Sequence, residues 1–164
     1  TPLPADAKLK EQEKLAEIWQ AQLSVLSSVK NTGMCVTTDI TNLLDIHPKN
    51  KQDVGKRLAL WALSTVYGSK VESYSGPIPA NHAIKGATIS ISFHHAEGGL
   101  TAKGGELKEF EVAGTDGVWK PAKAAIMGTT VQVSSPEVAM PVGVRYGCAR
   151  AHLPSGLAHP HRAP

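Results

Sequence analysis

The sequence predicts an α/β fragment over residues 1–70, followed by an antiparallel β-sandwich over 71–150 and an irregular tail over 151–164. Three observations carry this expectation. Two long stretches before residue 70 repeat their apolar residues at helical steps. Short runs of alternating residues, separated by glycine pairs, fill the later part. A single short strand lies between the two helices, and one strand flanked by helices implies neighbouring strands that the chain does not supply. With 41% hydrophobic and 19% charged residues among 164, the composition is globular rather than disordered.

The first helix is predicted over residues 8–30, where Leu15, Ile18, Trp19, Leu23, Val25, Leu26 and Val29 recur mostly at steps of three and four. Asn31-Thr-Gly33 ends it, since Asn or Gly takes the left-handed cap. Residues 34–38 (Met-Cys-Val-Thr-Thr) then read as a short buried strand. A second helix is expected over residues 50–67, with Asn50 as N-cap and Asp53 three positions on. Val54, Leu58, Trp61, Ala62 and Thr65 form one face, and Gly68 closes it. Residues 71–79, with Gly76-Pro77 and Pro79, are linker or turn chemistry. In the β part, Ile89, Ile91 and Phe93 alternate with serines, Phe110 and Val112 with glutamates. Val131 and Val133, then Val142, Val144 and Tyr146, repeat the pattern. Gly98-Gly99, Gly104-Gly105, Gly114-Thr-Asp-Gly117 and Gly128 mark the turns.

Several function classes are disfavoured. Seventeen basic against fourteen acidic residues alternate in sign along the chain, with no basic stripe interleaved with aromatics, so no nucleic-acid partner is expected. No apolar run approaches the ~18–20 residues that span a bilayer, so no membrane partner is expected. Cys35 and Cys148 are too far apart to carry a metal spacing. No metal and no cofactor are expected. The chain begins at Thr1 without an initiator Met, a basic region or an apolar leader. The expectation is therefore a removed leader, or a start internal to something longer.

The densest chemical signal runs from Thr37 to Lys51. A strand end is followed by a polar loop, a carboxylate two residues before a histidine, and a proline. Sites in open α/β sheets gather beyond the carboxyl ends of strands. Pro48 biases His47 away from helical conformation just ahead of the second helix. If the backbone is extended there, Asp45 and His47 point to the same side, with Cα atoms roughly 6–7 Å apart. A carboxylate so placed orients an imidazole and stabilises its protonated form, as a general base requires. The same spacing also fits a histidine that merely precedes a helix beside a turn aspartate. On spacing alone that plainer reading is the stronger.

The segments Asn31-Thr-Gly-Met-Cys-Val-Thr-Thr-Asp-Ile40 and Asp45-Ile-His-Pro-Lys-Asn-Lys-Gln-Asp-Val-Gly-Lys-Arg-Leu-Ala59 closely resemble sialate O-acetylesterases, members of the SGNH (GDSL-like) superfamily of serine esterases. Leu15-Ala-Glu-Ile-Trp-Gln-Ala-Gln22 resembles the family's helix just upstream. In the β part Gly104-Gly-Glu-Leu-Lys-Glu-Phe110, Val133-Ser-Ser-Pro-Glu-Val138 and Val144-Arg-Tyr-Gly147 match in style, so the likeness covers roughly residues 10 to 147.

The resemblance implies that residues 1–70 are the C-terminal helices and strand of an SGNH-type three-layer domain. It makes His47 the catalytic base, with Asp45 the nearest candidate to orient it and Asp39 in reserve. A dyad without an acid is a further alternative. The superfamily usually writes Asp-x-x-His, whereas Leu44 stands three before His47. No Gly-Gln-Ser-Asn, Gly-Asp-Ser or Gly-x-Ser-x-Gly block is present, so the implied serine lies outside this chain, in a missing N-terminal esterase segment. The glycine and asparagine of the oxyanion hole are expected there too, and the chain alone is expected to be inactive. After Tyr146-Gly147 the family usually has an aromatic, where this chain has Cys148 and a Pro/His-rich tail. The implied substrate is an O-acetylated sialic acid or another acetylated glycan, and the resemblance favours a secreted, periplasmic or vesicular location. The alternative, from another class, is a non-catalytic carbohydrate-binding or interaction module centred on the β-sandwich.

Other residues have plainer expectations. Adjacent His94 and His95 on a regular strand face opposite sides and do not share a metal. His152, His159 and His161 fall in the tail. Trp19 and Trp61 belong on apolar helix faces as core, and Trp119, after the Asp116-Gly117 turn, is core or else a partly exposed sugar platform. Cys35 reads as buried strand material, not a nucleophile.

Overall fold

The computed structural model describes residues 5–40, 47, 49–148 and 157–158. They fall into two compact units, Thr1–Ser75 and Gly76–Pro164.

The first unit holds two helices, α1 (Ala5–Ser28) and α2 (Lys51–Thr65). Asn31 ends the first helical stretch in the left-handed conformation, with φ of 57°, as its short polar side chain permits. Gly33 has a different task. A Cβ there would stand 2.7 Å from Trp61 Cβ, so the absence of a side chain lets the backbone pass against α2. Residues 32–37 form no strand. The β-rich composition of 34–38 favours extension, but a strand exists only through its ladder, and no described segment pairs with it. At α2 the expected cap forms. Asn50 Oδ1 accepts from the Asp53 amide at 3.1 Å, and Asn50 Nδ2 donates to Asp53 Oδ2 at 2.7 Å. Gly68, at φ 64°, follows the helix end.

Among the described residues of this unit, no apolar side chain is buried. Trp61 is half-buried, with its ring edge-on to Tyr74 at 4.9 Å between centroids. Trp19 departs from the expectation of core: 42% of it is exposed, and Ile18, Val25 and Val29 are exposed with it. Amphipathic periodicity identifies a face to be buried but not what buries it.

The second unit is an antiparallel sheet of six strands in the order β1 (Ile78–Lys85), β2 (Thr88–His94), β6 (Thr130–Ser134), β5 (Trp119–Met127), β4 (Phe110–Ala113), β7 (Gly143–Tyr146). The sheet is curled, and residues from both of its halves meet in one core of Ile89, Ile91, Phe110, Val112, Val131 and Val133. Strand β5 makes the continuity. Its first four residues pair with β4 and its last five with β6. Pro121 sits in the first part, and its carbonyl accepts from Ser135 Oγ at 2.7 Å. The β1–β2 and β5–β6 hairpins each turn on two residues led by a glycine of positive φ, Gly86 and Gly128.

The strands anticipated from alternation all form. Of the six strands in this sheet, β1 and β5 were not anticipated. β1 is an edge strand, exposed over most of its length, and carries Pro79, so it lacks an apolar alternation. β5 contains Pro121 and three alanines, and its extended state comes from the two ladders it joins. Within the tail, Leu157–Ala158 (β8) pair with Thr101–Ala102 (β3).

Candidate active site

The loop that carries His47 enters from the extended segment 32–37 and ends at the N-terminus of α2. His47 is exposed and stands three residues before the capping Asn50. Asp45, the first candidate to orient it, lies outside the described residues. Asp39, the reserve candidate, is held by Arg57 of α2. Arg57 Nη1 donates to Asp39 Oδ1 at 2.7 Å and Nη2 to Asp39 Oδ2 at 2.6 Å, a bidentate pair. Nη1 also donates to the Val36 carbonyl. The Asp39 hydrogen bond holds the Arg57 guanidinium proton more tightly than usual, against the opposing effect of burial. The charges of Asp39, Cys35 and Asp53 add to it. Asp39 is therefore tied to α2 through both carboxylate oxygens.

Arg57 is the residue that sequence reasoning missed. Its signal was available in outline, since Asp53 and Arg57 stand four apart and share a helix face. The partner 18 residues upstream is visible only in three dimensions. Cys35, expected as buried, is half-buried, and its thiol donates to the Val36 carbonyl at 3.7 Å.

A second cluster lies on the sheet face opposite the main core. Trp119, expected as core or sugar platform, is half-buried. The Arg145 guanidinium lies 4.6 Å from its ring centroid, within cation–π range. A Cβ on Gly143 would stand 3.2 Å from the indole, so glycine there makes room for the ring. Arg145 Nε donates to Glu111 Oε2 at 2.7 Å across the β4–β7 ladder. His94 ends β2, and His95 follows it with φ of 58°. The regular strand assumed for the pair thus stops between them, and their ring centroids are 6.4 Å apart. Among the described residues no three His, Cys, Asp or Glu side chains are grouped as a metal site would need. His152, His159 and His161 lie outside the described residues.

No family model and no curated protein matches the chain. Among solved structures it is similar to a carbohydrate acetylesterase from Xanthomonas citri, with 40% identity over 73% of its length and a TM-score of 0.67. The chain spans 28% of the length of that protein. The likeness supports an esterase relationship for this chain.

Proposed function

We propose that these residues are the C-terminal part of a sialate O-acetylesterase-like hydrolase of SGNH layering, with His47 as general base and a serine supplied by an N-terminal segment outside this chain. The observation that carries the reading is the 40% identity to a carbohydrate acetylesterase of which the chain spans 28%. The resemblance of the Asp45–Lys51 block to the sialate esterases narrows the substrate to O-acetyl groups on sialic acid or a related sugar, and favours a secreted or periplasmic setting. His47 takes the serine hydroxyl proton as the oxygen attacks the acetyl carbonyl, and returns it to the departing sugar oxygen. The acetyl-enzyme is then hydrolysed by water activated in the same way. Asp45 orients the imidazole. The apolar faces of α1 and α2 pack in this reading against strands of the missing segment.

The test uses the longer protein that contains these residues, assayed on p-nitrophenyl acetate and on O-acetyl-sialic acid. His47→Ala is expected to lower turnover by at least the ~10²–10⁴-fold that general-base catalysis contributes. Undiminished turnover would remove the base assignment, and turnover of p-nitrophenyl acetate alone would remove the sialate assignment. The 164-residue chain by itself is expected to show negligible turnover. A second reading, a carbohydrate-binding module, is favoured by one observation, the half-buried Trp119 on the sheet face. It predicts glycan binding by the chain that is lost in Trp119→Ala, with no dependence on His47.

A further inference from the structure

We infer that Arg57 is a positioning residue for His47, an assignment that rests on the esterase reading above for its chemical consequence. The chain on either side of His47 is anchored to one face of α2. Upstream, Asp39 is gripped by Arg57 through two hydrogen bonds, and the Val36 carbonyl takes a third from the same guanidinium. Downstream, Asn50 and Asp53 exchange two hydrogen bonds at the helix start. Asp53 and Arg57 are four residues apart, so the two anchors lie one above the other on the helix surface, about 6 Å apart along its axis. The backbone that leaves α2 at Asp39 returns to the same helix face at Asn50. His47 thus belongs to a closed stretch whose two ends are both held by α2.

The two anchors differ in kind. The Asn50–Asp53 exchange is local capping chemistry, formed by any helix with this N-terminal sequence. The Arg57–Asp39 clamp joins residues 18 apart, so it is formed only by the fold. An ion pair at this degree of exposure, 22% for Arg57 and 41% for Asp39, adds little to stability when it is a single contact. A bidentate pair with a third bond to a backbone carbonyl instead fixes direction, because the planar guanidinium allows one orientation of its partners. Lysine retains the charge and loses the fork.

The experiment has two arms. In the 164-residue chain, backbone ¹⁵N heteronuclear NOEs and amide exchange are measured at His47, along α2 and at Ile89 and Val131. Arg57→Gln is expected to lower the NOE and speed exchange at His47 while leaving Ile89 and Val131 unchanged, with Arg57→Lys intermediate. Should Arg57→Gln melt α2, Asp39→Asn decides, because it breaks the same clamp from outside the helix. His47 dynamics equal to wild type in Asp39→Asn would overturn the inference.

In the longer esterase, Arg57→Gln is expected to lower kcat by about 10²-fold, the scale of an ångström misplacement, with KM within about twofold. Full activity in Arg57→Gln, where His47→Ala is inactive, would also overturn it. If His47→Ala keeps activity while Arg57→Gln loosens His47, the esterase reading fails. The positioning role then stands.

Discussion

His95 occupies the left-handed region with φ of 58°, where a residue other than glycine is uncommon. Burial pushes its imidazole below the ordinary value of 6.5; the charge of Glu97 opposes that and His94 adds to it. Because the folded chain holds this proton less well, the unfolded chain binds more protons just below pH 6.5. Stability therefore falls as pH drops through that window, levels off below the folded value, and is unaffected above 6.5. His95→Asn keeps a residue suited to the left-handed backbone and removes the titration. Urea unfolding of the second unit between pH 7.5 and 5 is expected to show a shallower loss on the acid side in the variant. An identical slope would mean that other groups carry the acid sensitivity. The pair's sequence suggested two histidines on opposite faces of a strand. The strand end between them is set by the turn that follows.

At the scale of elements, the β5–β4–β7 face depends on one cross-strand arrangement. Arg145 and Glu111 face each other in the ladder and are 17% and 14% exposed, and the Arg145 guanidinium lies over the Trp119 ring. Arg145→Met leaves the Glu111 carboxylate in a mostly covered position without this cation, which is expected to cost about 1–3 kcal/mol in urea unfolding. Glu111→Gln combined with Arg145→Met is expected to recover most of that loss, since the uncompensated charge is then gone. Equal losses in the single and double variants would assign the cost to packing on Trp119 instead. Here the sequence was legible for β4 and β7, because Phe110, Val112, Val144 and Tyr146 alternate inward. It was not legible for β5. Trp119-Lys-Pro-Ala-Lys-Ala-Ala-Ile-Met127 is extended because β4 and β6 each claim part of it. Nothing within the segment announces either neighbour.

Across the whole molecule, burial is uneven between the two units. Ile89, Val112, Val131 and Val133 are fully buried, whereas the described apolar side chains of α1 and α2 are half-buried or exposed. Local opening is resisted mainly by buried apolar contact. In native-state exchange of the chain, the amides of Val131 and Val133 are expected to be about 10²-fold or more slower than those of α2. An α2 as protected as the sheet would show that its faces are already covered. In that case the reading that they await strands from another segment would fail.

The sequence by itself determined what short-range chemistry controls. Asn31 at its left-handed turn, the Asn50–Asp53 cap and the Gly128 turn are each set by residues within a few positions of one another, and alternation marked the inward faces of four strands. The Asp-Ile-His-Pro block made His47 the proposed base only through its resemblance to the sialate esterases. Only the tertiary structure decided matters that require a distant partner: the grip of Arg57 on Asp39, the clearance of Gly33 beneath Trp61, the extension of β1 and β5, and the exposure of Trp19. The physical reason is common to all four. A cap or a turn satisfies its own backbone groups locally, but a strand, an ion pair or an apolar face is completed only by what the fold brings to it.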